Sequence, residues 1–79
     1  MLKWKRQVNR RMKHYGDIDF EKKVIRVNPQ KGYLVNTIIH EELHRQFPDK
    51  PERWIYRRAR FEESQLSVGD QIKLLKQYL

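Results

Sequence analysis

The stretch from Tyr33 to Phe47, YLVNTIIHEELHRQF, decides how this chain is read. Leu34, Val35, Ile38, Ile39, Leu43 and Phe47 recur at helical spacing with no glycine or proline among them, and Pro48 follows. The pattern predicts a central amphipathic helix ended by the proline. Within it His40, Glu41, Glu42, Leu43 and His44 spell HExxH. Residues four apart on a helix lie about 40° apart around the axis and one turn apart along it, so both imidazoles project from one face and can ligate one metal ion. Glu41, offset by about 100° from His40, can reach a water on the open side of that metal without being a ligand.

Working outward, Asp49 stands three residues before Glu52 with Pro51 between, a capping-box arrangement that predicts a helix from about Lys50 to Leu66. Its inner stripe is Ile55, Ala59, Glu62 and Leu66. Ser67 and Asp70 repeat the capping signal, and Ile72, Leu75 and Leu79 put an apolar face on a last helix. Upstream, Ile18–Phe20 and Val24–Val27 are short β-prone stretches separated by charged residues, which predicts a small antiparallel hairpin ended by Asn28 and Pro29. From Leu2 to Tyr15 the apolar Trp4, Val8, Met12 and Tyr15 are spaced by four, four and three among six lysines and arginines. That spacing predicts an amphipathic basic helix closed by Gly16, with His14 in its last turn. The expected fold class is α+β: an N-terminal helix, a small antiparallel β-hairpin, the central HExxH helix and two further helices, in a single domain over residues 1–79.

A chain of 79 residues holds one small core with a thin stability margin, so a staple beyond apolar burial is expected. There is no cysteine, which excludes a disulfide, thiolate catalysis and a cysteine-ligated zinc. A metal must then be held by His, Asp or Glu. Lys and Arg number 18 against 10 Asp and Glu, a formal net charge of +8, which favours polyanionic partners. Neither an export signal nor a membrane span is visible in the apolar pattern, so a cytoplasmic protein without a membrane partner is expected.

Zinc held by two histidines and one carboxylate keeps a fourth position for water and lowers its pKa, while the neighbouring glutamate takes the proton and passes it to the leaving amine. Three carboxylates compete to complete such a set. Helical angles align Glu62 with the apolar stripe of its helix, where an inward carboxylate needs a positive partner. Glu63 lies farther round, and Glu52 already has a capping role with Asp49. Glu62 is therefore the expected third ligand, and the zinc would tie the central helix to the next. The competing account is a central helix with two ordinary histidines and two solvated glutamates, and Glu62 in a salt bridge to an arginine.

A strand, a loop and a helix carrying IIHEELH, with a carboxylate on a following helix, resemble the zincin metallopeptidases and, through the glutamate, their gluzincin branch. GDIDFEKKVIRVNP followed by NTIIHEELHRQFPDKPE resembles the minimal SprT-like and phage-encoded zincin-type domains. The resemblance spans about residues 16–66, and its one specific motif is HEELH. It implies one Zn2+ per chain on His40 and His44, Glu41 as catalytic base, a peptide or protein substrate, and Val24–Val27 as the edge strand that pairs with it. Lys50 stands where metzincins carry a third histidine. The developing oxyanion needs a further donor, for which Tyr56, Arg58, His14 and Tyr15 are candidates. The main rival is a nucleic-acid-binding module built on the basic N-terminal helix and on Arg53, Arg57, Arg58 and Arg60. A catalytically inert, zinc-stapled interaction module is the third reading.

Overall fold

The stretch expected to open the chain as a helix is a strand. Trp4, Val8 and Met12 are spaced by four, and four is a multiple of the strand period of two as well as close to one helical turn, so the apolar spacing fits both. Pairing decides between them. In the computed structural model, which describes residues 3–79, Lys5–Val8 forms β1 and runs parallel to Val24–Val27, β3. The Lys5 amide donates to the Lys23 carbonyl at 2.8 Å and the Asn9 amide to the Val27 carbonyl at 2.9 Å. Trp4, Arg6 and Val8 turn inward and are half-buried, while Lys3, Lys5 and Gln7 are exposed. Leu2, where the helix was expected to begin, lies outside the described residues.

The expected hairpin is present. Gly16–Asp19, β2, runs antiparallel to β3, with Gly16 opposite Val27 and Asp19 opposite Val24. The Asp19 carboxylate accepts from the Lys22 amide at 2.9 Å, and Lys23 takes a left-handed φ of 56° as the chain reverses. The strand order is β1-β3-β2, a mixed three-stranded sheet. Val24–Val27 is therefore the central strand, bonded on both sides, and not the edge expected to receive a substrate; the free edges belong to β1 and β2. Gly16 opens β2 and caps no helix.

Three helices follow: α1 (Leu34–Gln46), α2 (Glu52–Gln65) and α3 (Val68–Lys76). The first lies between two apolar clusters. Its Ile38 packs with Ile25 and Val27 of the sheet and with Tyr78, while its Ile39 and Leu43 pack with Ile55 and Ala59 of α2. Full burial of such side chains stabilises by about 1.5–3 kcal/mol each, which fixes the rotation of α1 between sheet and α2. The capping box expected from Asp49 and Glu52 does not form: Pro51 is the N-cap of α2 and no side chain caps it. The box at α3 does form, with the Asp70 amide donating to Ser67 Oγ at 3.1 Å and the Ser67 amide to Asp70 Oδ2 at 3.2 Å. Leu74, Leu75 and Tyr78 are the inward residues of this segment, whereas Ile72 and Leu79 of the expected apolar face are exposed.

A polar staple holds the back of α1. Glu42, 8% exposed, accepts from Arg6 Nε at 2.6 Å and Nη2 at 3.0 Å, from Arg45 Nε at 3.0 Å, and from the Tyr78 hydroxyl at 2.5 Å. Burial works to raise the Glu42 pKa, but these donors outweigh it and hold the carboxyl below its ordinary value. The cross-link joins β1, α1 and the segment after α3. It is a staple of the kind that a cysteine-free chain of this size calls for.

Candidate metal centre

Only five residues, 47–51, connect α1 to α2, so α2 must return antiparallel to α1. The HExxH motif lies late in α1, and the first turn of α2 therefore comes back beside it. Glu52 bridges the two imidazoles, with Oε1 at 2.5 Å from His40 Nε2 and Oε2 at 2.9 Å from His44 Nε2. The two Nε2 atoms are 3.2 Å apart. One ligand atom from each of the three residues lies within 4.8 Å of the others.

The donor types are those that hold zinc, and their spacings are tighter than a bound ion requires. Ligand bonds of about 2.0–2.2 Å in a tetrahedron put ligand atoms roughly 3.3 Å apart, and a small outward shift of Glu52 opens the observed spacings to that value. Its side chain is 69% exposed, so little resists the shift. Two neutral nitrogens and one carboxylate oxygen are a common donor set for a zinc ion that keeps an open position.

Glu62, the third ligand expected from helical angles, does not join this group. It sits ten residues past Glu52, about 15 Å along the helix axis, and pairs instead with Arg58 at 3.2 Å on the exposed side of α2. Helical angles misplaced Glu62, since it is Glu63 of that turn that meets α1 through Asn36, and they took no account of position along the helix. Glu63 accepts from Asn36 Nδ2 at 3.0 Å, beside the first turns of α1. Because the capping box does not form, the Glu52 carboxylate is available to the histidines.

Glu41 is 7% exposed as a residue, but no buried side-chain oxygen among the described residues lacks a partner, so its carboxylate, which no donor of those residues reaches, meets solvent at the cleft. Burial raises its pKa to about 7, with the negative charges of Asp17 and Glu52 adding to the effect. Gly16 makes room for it: a Cβ there would lie 3.1 Å from Glu41 Oε2, 3.1 Å from Thr37 Cγ2 and 2.9 Å from the Arg26 carbonyl oxygen. The glycine thus permits the close approach of β2 to α1.

Glu41, His40, His44 and Glu52 open into a cleft of about 740 Å³ between β2, α1 and the start of α2. On its β2 side the Asn28 amide donates to the Tyr15 carbonyl at 2.7 Å, so residues 15, 17 and 19 are the hydrogen-bonded positions of the ladder. The N–H and C=O groups of Gly16 and Ile18 then point away from β3, along the cleft. Three of the four candidate oxyanion donors, His14, Tyr15 and Tyr56, line the cleft. Arg58 is paired with Glu62 and stacked 5.4 Å from the Phe61 ring centroid. Asp17, also in the lining, is engaged by the Arg26 guanidinium.

Two features of the site were misjudged from sequence: Glu52, weighed as a third ligand but set aside for a cap, faces both histidines, and β2 is the exposed edge. The first was accessible from loop length alone, since a short connection after a late motif returns the next helix by its first turn. The second depends on β1, whose existence the apolar spacing concealed. No helix of the described residues is long and apolar enough to cross a membrane. Comparison with family models, with curated proteins and with solved structures finds no match to this chain.

Proposed function

We propose that this chain is a zinc-dependent metallopeptidase of the zincin type, in which His40, His44 and Glu52 hold one zinc ion and Glu41 is the general base for peptide-bond hydrolysis. The supporting observation is the convergence of three ligand atoms within 4.8 Å beside a largely buried glutamate that lines the same cleft. Zinc held there supplies a Lewis acid that acidifies water and polarises a carbonyl. The chain does the rest. An extended peptide adds to the β2 edge through the free N–H and C=O groups of Gly16 and Ile18, which sets the scissile bond along the cleft. Glu41, on the wall of the cleft, takes the proton of the attacking water and returns it to the departing amine. His14, Tyr15 and Tyr56 are the groups within the cleft that can donate to the developing oxyanion.

The test is cleavage of an unfolded protein substrate by the zinc-supplemented chain, followed by the appearance of new amino termini. Loss of a general base lowers turnover by about 10²–10⁴-fold, so Glu41→Gln should be nearly inactive while retaining its zinc. Equal cleavage by the parent and Glu41→Gln, or no cleavage by either, would overturn the reading.

A further inference from the structure

We infer that the exposed side of β1 and the loop that follows it bind the phosphate backbone of a nucleic acid. This inference is independent of the metal reading. The first acidic residue of the chain is Asp17, and six lysines and arginines precede it. The structure sorts those six. Arg6 alone turns inward, onto Glu42; Lys3, Lys5, Arg10, Arg11 and Lys13 are exposed. Salt bridges among the described residues engage Arg6, Arg26, Arg45 and Arg58, and none of the five exposed cations.

The loop holding three of these cations has a fixed shape. Asn28, 1% exposed, donates from its side chain to the Met12 carbonyl at 2.8 Å, and its amide donates to the Tyr15 carbonyl. The Arg11 amide donates to Asn9 Oδ1 at 2.9 Å. Met12 is thereby drawn toward the body while Arg10, Arg11 and Lys13 on either side of it stay in solvent. A lysine on an exposed strand edge guards against edge-to-edge pairing, which accounts for Lys5. It does not account for three cations on an anchored loop.

Arg10, Arg11, Gln7 and Asn9 are the polar side of an open groove of about 730 Å³ that Val8, Tyr78 and Leu79 also line, and their guanidinium and amide donors can meet phosphate oxygens. The surface fits a nucleic acid better than an anionic membrane. Anionic lipids attract the same charges, but stable seating on a membrane adds an apolar face that enters the acyl boundary. Beside these cations only Tyr15 and Leu79 of the described residues are large exposed hydrophobics, one at the end of the loop and one on the groove. Trp4 is not free to stack on bases, because it packs edge-on against Phe20 at 5.8 Å. Binding is phosphate-led, with little sequence preference and a steep salt dependence. The same loop continues into His14 and Tyr15 on the wall of the cleft, so a bound strand lies next to it.

The experiment uses the full chain, a labelled 20-base-pair duplex of arbitrary sequence, and phosphatidylserine vesicles as a second probe. Neutralising about four phosphates gives a slope near −3.6 in log K against log salt, a roughly 150-fold loss of affinity between 50 and 200 mM. The variant Arg10→Gln/Arg11→Gln/Lys13→Gln should flatten the slope to near −1 and weaken binding at least tenfold at 50 mM. Arg53→Gln/Arg57→Gln/Lys76→Gln removes the same number of exposed charges elsewhere and should change affinity less than threefold. Equal losses from the two triple variants would reduce the effect to net charge and overturn the assignment. So would tighter binding to the vesicles than to the duplex, or no salt-dependent binding of the duplex.

Discussion

Glu41 and Glu42 are adjacent in one helix and nearly equally buried, at 7% and 8% exposure, yet their surroundings differ in every respect that matters to a carboxylate. Glu42 faces the sheet and the segment after α3, where Arg6, Arg45 and Tyr78 satisfy both its oxygens. Glu41 faces the cleft, where burial and the charges of Asp17 and Glu52 oppose its ionisation and no donor of the described residues offsets them. A saturated carboxylate is a structural cross-link; one whose pKa burial raises inside a cleft is a candidate for proton exchange. The front of α1 therefore presents its carboxylate to the cleft with no donor from the described residues, and its back is held by hydrogen bonds strong enough to keep it in place.

If that division is right, the two faces respond oppositely to substitution. Glu42→Ala leaves Arg6, Arg45 and the Tyr78 hydroxyl without their common acceptor. It should cost about 3 kcal/mol, lowering the melting temperature by roughly 15 °C at this chain length; a fall under 3 °C in a thermal melt would break the comparison. Tyr78→Phe deletes one hydrogen bond to a charged group and should cost about 2 kcal/mol, measurable as a shift in urea midpoint with unchanged slope. Gly16→Ala forces β2 away from Glu41 and the Arg26 carbonyl at about 1.5 kcal/mol. It should also depress cleavage more than zinc binding, because it displaces the base and not the ligands. Glu41→Gln removes a buried charge that has no donor, so the metal-free protein should gain about 1 kcal/mol. A loss of stability there would place Glu41 with Glu42 as a structural residue.

Much of this was legible in the sequence. The 3.6-residue periodicity of Leu34 to Phe47 and the Ser67–Asp70 box located α1 and the start of α3, because each rests on interactions within a few residues. The same local logic misled at Lys5–Val8, where apolar residues four apart satisfy a strand and a helix alike and the choice is made by parallel pairing with residues nearly twenty positions away. At the site, HExxH fixed His40, Glu41 and His44 on neighbouring faces of one helix. Glu62 was chosen by its angle around α2, while contact between antiparallel helices depends equally on height along the axis, which favours Glu52. The different fates of Glu41 and Glu42 could not be read from HEELH. They follow from Gly16 and Arg6, contributed by strands that only the tertiary fold brings to α1.

The central claim is the metal site, and zinc content per chain measured by elemental analysis of untagged protein tests it most directly. About one zinc per chain is predicted for the parent and for Glu62→Gln, with far less in His44→Ala and Glu52→Gln. Absence of zinc from the parent even after zinc is supplied, or loss of zinc in Glu62→Gln but not in Glu52→Gln, would contradict the account.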